Sequence, residues 1–303
     1  MSRIALVTAI AALGQDQDLL PLRQACADLG LAADIRAWDD PSVAWGRYDA
    51  VLLRSPWDYT QRLDEFLDWC ARVDAATRLL NPLAVVRWNS DKHYLADLAA
   101  RGVPVVPSAF VEPDADPLPA LQEFLAAHAE CEEFVVKPAV SAGSRDTQRY
   151  ARSQEFAAAN HVARLLDDGR SVLLQPYLAS VDRDGETALI HVNGVFSHAI
   201  RKGAMLHRDE ALNLRATERI AAREPGEDEL TAALHALSAA GARLDLEDPL
   251  LYARVDLIRD GDGRPRLLEL ELCEPSLFFE HAPGSAARFA EALAELLQTS
   301  AAS

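Results

Sequence analysis

The sequence predicts an α/β N-terminal domain followed by a mixed region of helices and antiparallel hairpins. Three observations carry that reading. The stretch up to Trp88 alternates strand and helix patterns in the order β-α-β-β-α, the order of a small doubly wound domain. Asn193-Gly194 sits between two apolar runs and is a strong hairpin signal. Leu251–Glu274 reads as a second hairpin, with acidic side chains on one face.

In order, Arg3–Ala9 is an apolar first strand, and Asp16–Leu29 a helix with Leu19, Leu22, Cys26 and Leu29 on one side, stopped by Gly30. Ala33–Ala37 and Ala50–Arg54 are strands. Thr60–Val73 is a helix with Leu63, Phe66, Leu67, Cys70 and Val73 at helical spacing. The loop Arg54–Tyr59 follows a central strand at its C-terminal end, where open α/β sheets bind ligands, so Arg54 and Asp58 are substrate-contact candidates. An ordinary turn stabilised by Pro56 and Asp58 is an equally good account. Ser90 is expected to cap a helix running to Arg101, closed by Gly102. An extended Val103–Phe110, a helix near Leu118–Ala129, strand Phe134–Lys137, a helix near Ser153–Leu166 and strand Ser171–Gln175 follow. Ala188–Val192 and Val195–Arg201 flank the Asn193-Gly194 turn, which sets Glu186 opposite Arg201, either as an ion pair or in a shared role at a ligand. Helices near Gly226–Ala240 and Ala286–Leu297 bracket the acidic hairpin, the second packing through Phe289, Leu293 and Leu297.

In that hairpin Tyr252, Arg254 and Asp256 share one face of the first arm, and Glu269 and Glu271 share a face of the second with Leu267; Leu268, Leu270 and Leu272 take the other. A turn centred on Asp260–Gly263 sets Asp256 opposite Glu269 and Arg254 opposite Glu271. Like charges directly opposite destabilise a strand pair. Either the face is solvated, with an Arg254–Glu271 ion pair, or Asp256, Glu269 and Glu271 gather a divalent cation, for which oxygen-only donors favour Mg²⁺ or Mn²⁺ over zinc.

At 303 residues the chain can bury substantial cores. Its net charge of −17 argues against general nucleic-acid binding, and no apolar run is long enough to span a bilayer. Cys26, Cys70, Cys131 and Cys273 have no CxxC spacing and read as reduced thiols of a cytoplasmic protein. Of 30 basic residues only Lys92, Lys137 and Lys202 are lysine. Where arginine has replaced nearly every lysine, a survivor either persists by chance or marks a place for a compact ammonium, such as a point contact with phosphate. Lys137 ends a strand and opens the small-residue loop Pro138–Ser144, in which Ser141, Gly143 and Ser144 allow backbone N–H groups close to phosphate. It is not a Walker A loop, and Ala9–Gly14 lacks the dinucleotide-binding G-x-G-x-x-G.

In this order the segments resemble the ATP-grasp superfamily over nearly the whole chain. The resemblance implies an ATP-grasp architecture: an α/β N-terminal domain (1–88) plus two α+β lobes, lobe 1 (89–178) and lobe 2 (179–303) with the metal-binding hairpin. It implies ATP as cofactor, held by Lys92, Lys137 and Lys202, by the Ser141–Ser144 loop, by Gln175, Pro176, Tyr177 and Leu178 at the adenine, and by Glu186 at the ribose. It implies Mg²⁺ (or Mn²⁺) on Asp256, Glu269 and Glu271, with Arg254 as the catalytic arginine that steadies the transferred phosphoryl group. Glu271 departs from the superfamily pattern, which has asparagine there. RSPWDY (54–59), the segment 79–107 and LLELELCEPSLFF (267–279) are similar to the cycloserine-biosynthesis cyclo-ligases, which the resemblance implies act on O-ureidoserine, and to their glutathione-synthetase-like relatives. The implied reaction joins a carboxylate to an amine through an acylphosphate on a small amino-acid-like substrate, with intramolecular cyclisation as one form. Intermolecular amino-acid or dipeptide ligation, or a nucleotide-binding module without turnover, are the alternatives. His191 and His198 are expected to be structural, no nucleic acid or membrane partner is expected, and a homodimer is the default.

Overall fold

The computed structural model describes residues 2–206 and 219–300. Four parallel strands, β1 (Arg3–Thr8), β2 (Ala32–Ala37), β3 (Ala50–Ser55) and β4 (Arg78–Leu80), form a sheet in the order β2-β1-β3-β4. Helices α1 (Leu19–Asp28), α2 (Leu63–Ala76) and α3 (Leu83–Asn89) connect and cover them. Strand order reverses between β1 and β3, and the loops after those strands face the same crevice. The sequence pattern missed β4 and α3, both short and flanking Pro82. Ser90 is therefore the C-cap of α3 rather than the N-cap of the next helix, α4 (Tyr94–Ala100), which starts after a turn at Asp91–His93.

A second sheet, ordered β5-β8-β6-β7, comprises β5 (Ala109–Val111), β6 (Glu133–Pro138), β7 (Gln148–Ala151) and β8 (Val172–Pro176). One face is covered by α5 (Pro117–Ala127) and α6 (Glu155–Asp167), with Phe124, Phe134, Val136, Leu165 and Leu174 in the core between them. Alternation on β6 then turns Val135 and Lys137 to the opposite face, which lines the cleft.

After α7 (Ser180–Asp184), the third sheet holds β9 (Glu186–Val192), β10 (Val195–Lys202), β11 (Ile220–Arg223), β12 (Tyr252–Arg259) and β13 (Pro265–Glu271), ordered β11-β10-β9-β12-β13 and antiparallel throughout. The alanine stripe Ala233, Ala236 and Ala240 of α8 (Glu227–Leu244) packs on Leu189, Ala253, Val255 and Leu257 behind it. In front, Ile190, Val192, Ile200 and Tyr252 share a core with α1 and with α9 (Ser285–Ser300): Leu19, Leu22 and Cys26 meet Phe289, Ala290 and Leu293.

Two bulges alter the expected faces. Between β9 and β10 the register shifts at Phe196/His198, so Glu186 opposes Lys202 and Arg201 opposes Thr187. Between β12 and β13 it shifts at Asp256/Leu257, so Leu257 opposes Leu267 and Leu268 is the extra residue. Leu267, not Leu268, joins Leu270 and Leu272 in the core under α8. The pairs Arg254–Glu271 and Asp256–Glu269, on the far side of the bulge from the turn, keep the expected register.

The β9–β10 turn has positive φ at both central residues, 49° at Asn193 and 75° at Gly194, and a Cβ on Gly194 would lie 2.8 Å from Pro249 Cβ. Gly194→Ala is therefore expected to cost roughly 1–3 kcal/mol in urea unfolding.

Candidate active site

The second and third sheets face each other across a cavity of about 550 Å³ that also reaches the loops after β1 and β3. Its wall has three parts. The first is apolar: Val106, Val135, Tyr177, Leu178, Val181, Ile258 and Leu268. Leu268 belongs here because the bulge turns it out of the core and onto Ile258's side of the ribbon. Gln175 and Pro176 border this part, and the Gln175 amide donates to Ser108 Oγ at 2.9 Å.

The second part holds all three lysines of the chain, each under 10 % exposed. Lys137 Nζ lies 3.0 Å from Glu269; Lys92 Nζ donates to Ser141 O (2.9 Å) and Oγ (3.1 Å) and lies 3.9 Å from Glu269. Lys202 Nζ bridges Asp256 (2.7 Å) and Glu186 (2.9 Å). Arg254 forks onto Asp256 with two 2.9 Å bonds and also donates to Glu271. Ser141, Gly143, Ser144 and Arg145 complete the wall. Asp256 and Arg254 are withdrawn from solvent, 1 % and 6 % exposed, while Glu269 and Glu271 open partly to the cavity.

Asp256, Glu269 and Glu271 offer carboxylate oxygens all within 4.8 Å of one another, the one such group among the described residues. Burial opposes ionisation of Glu269, but Lys137 and Lys92 outweigh it and hold the group well below the usual carboxylate range. Glu271 goes the other way: burial, reinforced by Asp256 and Glu269, pushes it up to about 7 despite Arg254. Burial likewise works against the Lys202 ammonium, and Asp256 with Glu186 overcomes it, raising its pKa. Three hard oxygen donors crowded enough to raise one of their own pKa values fit a divalent cation, whose charge would relieve that repulsion.

The third part comes from Gln15, Trp57, Tyr59, Thr60, Glu274, Ser276 and Phe278. Of the loop after β3, the cavity takes Trp57, Tyr59 and Thr60 rather than the expected Arg54 and Asp58. A 3₁₀ turn over Trp57–Gln61 directs Trp57 and Tyr59 to the cavity. Asp58 instead accepts from Trp38 Nε1 at 2.8 Å and pairs with Arg62 at 3.2 Å. Arg54 is buried beneath the site, donating to Leu53 O and Pro275 O, with its guanidinium 5.3 Å from the Tyr252 ring centre. Neither lines the cavity. Arg201 is also outside it, bonded to the carbonyls of Arg183 and Asp184. Glu274 was missed, since a lone glutamate beyond a strand end carries no pattern. Burial pushes its carboxyl up to about 7, although the Tyr59 hydroxyl, Lys92 and Arg254 favour its charged form.

His191 and His198 lie off the cavity wall. Burial brings His161 and His191 down to about 4. Because both folded-state values lie below the ordinary histidine value, the stability gained by keeping each ring neutral is full above pH 6.5 and drains away as pH falls, by roughly 2 kcal/mol per ring at pH 5 and roughly 3 kcal/mol at pH 4. Urea midpoints of the wild type and His191→Phe at pH 7.5 and pH 5 check this: the raised Glu271 and Glu274 carboxyls work in the opposite direction in both proteins, so the wild type is expected to lose roughly 2 kcal/mol more than the variant between the two pH values.

Two sheets closing face to face on a lysine-and-carboxylate cleft, with a parallel α/β unit at its mouth, are the architecture of the ATP-grasp carbon–nitrogen ligases, and fold and site together place the chain in that class. A family model described as D-cycloserine synthetase DcsG, N-terminal domain, matches residues 4–81. The cycloserine biosynthesis protein DcsG of Streptomyces lavendulae is 50% identical over 298 residues, covering 98% of this chain and 100% of the relative. The crystal structure of D-cycloserine synthetase DcsG superposes with a TM-score of 0.92 at 49% identity, over 98% of this chain and 100% of that one. The ATP-grasp ligase PsnB, complexed with minimal precursor, Mg and ADP, shares the fold at a TM-score of 0.63 and 20% identity, over 97% and 98% of the two chains. The chain belongs to the DcsG family: it is an ATP-dependent carboxylate–amine ligase. No helix among the described residues is long and apolar enough to cross a membrane.

Proposed function

We propose that the protein uses ATP to activate the carboxylate of a small amino-acid-like substrate as an acylphosphate and closes it on a nitrogen of the same molecule, as the name D-cycloserine synthetase implies for its relative. The observation that carries this reading is the cluster Asp256–Glu269–Glu271 interleaved with Lys137, Lys202 and Arg254 in one buried cleft.

The apolar wall with Gln175, Pro176, Tyr177 and Leu178 takes the adenine, and Glu186 meets the ribose side while fixing Lys202. Lys92, Lys137 and Lys202 place point charges on the phosphates, joined by backbone N–H groups of Ser141, Gly143 and Ser144. Asp256, Glu269 and Glu271 would hold Mg²⁺ or Mn²⁺, which would supply charge neutralisation for the phosphates. Arg254, held at fixed distance by Asp256, neutralises the carboxylate as it approaches and the phosphoryl group as it transfers. Phosphoryl transfer asks the protein for positioning and charge, and no side-chain nucleophile is required. The cleft walls keep water from the acylphosphate, so that the nitrogen rather than hydroxide takes the carbonyl carbon and phosphate leaves. In this reading residues 1–88 supply the substrate-side loops and 89–178 and 179–303 the two gripping lobes. Four free, buried cysteines suit a reducing cytoplasm.

Incubation with ATP, Mg²⁺ and either enantiomer of O-ureidoserine tests this. One ADP and one phosphate per ring closed are expected. ADP formation only when a second amino acid is present would replace cyclisation by intermolecular ligation, and nucleotide binding without phosphate release across a substrate panel would overturn the reading. Lys137→Arg is expected to lower kcat about 10²-fold, because a planar fork cannot stand in for a compact ammonium 3.0 Å from Glu269.

A further inference from the structure

Among the described residues, Glu274 is the one glutamate on the cavity wall with no cationic side chain in ion-pair contact. Glu186 has Lys202, Glu269 has Lys137 and Glu271 has Arg254. The cations nearest to Glu274 are committed elsewhere. Lys92 is spent on Ser141, Arg254 on Asp256, Glu271 and Ser276 O, and Arg54 on Leu53 O and Pro275 O. What Glu274 has is the hydroxyl of Tyr59. Glu274 is half-buried and open to the cavity, and a carboxylate with one neutral donor on a cleft wall is a receptor for positive charge brought by a ligand.

Its position is also built rather than incidental. The strap that carries it runs from the end of β13 to Phe279 without regular structure, and side chains from distant parts of the chain hold its backbone. Asn89 brackets it at Leu270 O and Leu272 N (both 2.7 Å), and Asn81 holds Leu272 O at 2.9 Å. Tyr252 holds Cys273 O at 2.7 Å, and Trp57 holds Glu274 O at 3.2 Å. Asp18 accepts from the N–H groups of Leu277, Phe278 and Phe279 at 2.6, 3.1 and 2.9 Å. A carboxylate so rigidly presented is pre-organised for a ligand.

We propose that Glu274, supported by Tyr59, receives the protonated α-amino group of the substrate and so makes the enzyme selective for α-amino acids over carboxylic acids of the same length. This rests on the ligase reading above and assigns the residue that selects the substrate. The chemistry is self-consistent: in an α-amino acid the ammonium and the carboxylate to be activated share one carbon. Arg254, which meets the carboxylate in that reading, is paired with Glu271, and Glu274 lies three residues further along the chain, so receptors for the two groups line the same end of the cavity.

The test compares O-ureidoserine with its deaminated analogue, 3-(ureidooxy)propanoate, in the full-length wild type and in Glu274→Gln, reading kcat and KM for each and KM for ATP. The wild type is expected to favour the amino compound by about 30-fold or more in kcat/KM, the cost of leaving one member of a buried charge pair alone. Glu274→Gln is expected to raise KM for O-ureidoserine by a similar factor, to lose the preference, and to keep KM for ATP within about twofold, which also shows that the cleft still folds. A wild type indifferent to the amino group overturns the assignment without any variant. So does a Glu274→Gln protein that keeps the preference, or one that loses kcat alone. Inactivity of the wild type toward both compounds with ATP bound overturns the ligase reading and the assignment with it.

Discussion

Glu269→Gln is expected to lower Mg²⁺-dependent kcat by about 10³-fold or more while leaving the far-UV circular dichroism unchanged. The size follows from what meets at this one side chain. Its carboxylate is one of the three within 4.8 Å, it sits 3.0 Å from the Lys137 ammonium, and it is the nearest acid to Lys92 at 3.9 Å. An amide of the same shape keeps a hydrogen bond to Lys137 but removes the charge, so the cation loses a donor and both lysines lose the anion that sets their height in the cleft. The fold should survive because the residue faces the cavity; β13 stays paired with β12 through its backbone and packed through Leu267, Leu270 and Leu272. Phosphate release measured against Mg²⁺ concentration checks it. A variant retaining a tenth of wild-type turnover at saturating Mg²⁺ would mean that Glu269 does not serve the metal.

Asp18→Ala is expected to destabilise the protein by about 3–5 kcal/mol in urea unfolding, the largest single loss expected outside the apolar cores. The Asp18 carboxylate, 4 % exposed, receives three successive backbone N–H groups from Leu277–Phe279. Alanine would leave three buried donors unpaired, each costing roughly 1–3 kcal/mol, partly recovered as the strap relaxes. Relaxation has its own consequence: if Glu274 binds the substrate ammonium, KM for the amino acid should rise with KM for ATP little changed. Asp18→Asn, which keeps one acceptor oxygen, is expected to fall between alanine and wild type. A loss below about 1 kcal/mol for the alanine variant would show that the strap does not depend on this anchor.

Local chemistry was legible in the sequence wherever the signal was periodic or confined to a turn. The Asn193-Gly194 and Asp260–Gly263 turns placed both hairpins, and strict alternation put Arg254, Asp256, Glu269 and Glu271 on one face. The scarcity of lysine singled out three residues that all line the cavity. The bulges were not legible, because an inserted residue is invisible in a pattern of period two until register is known; hence Leu268 and Arg201 were placed on the wrong faces. Strands β4, β7 and β11, of three to four residues, are too short to show alternation. Arg54, Asp58, Asn81, Asn89 and Asp18 act by side-chain bonds to local or distant partners. The strap contacts of Asn81, Asn89 and Asp18 span 181 to 261 positions, and no window on the sequence contains both partners.

The shared core of α1 and α9 bears on the order in which the molecule can be finished. Leu19, Leu22 and Cys26 close against Phe289, Ala290 and Leu293, so the unit synthesised first presents a bare oily flank until the closing helix has been made. During translation that flank needs a chaperone or a provisional contact. Fragments cut after Trp88 should be poorly soluble for the same reason, and supplying residues 285–300 as a separate peptide should restore them.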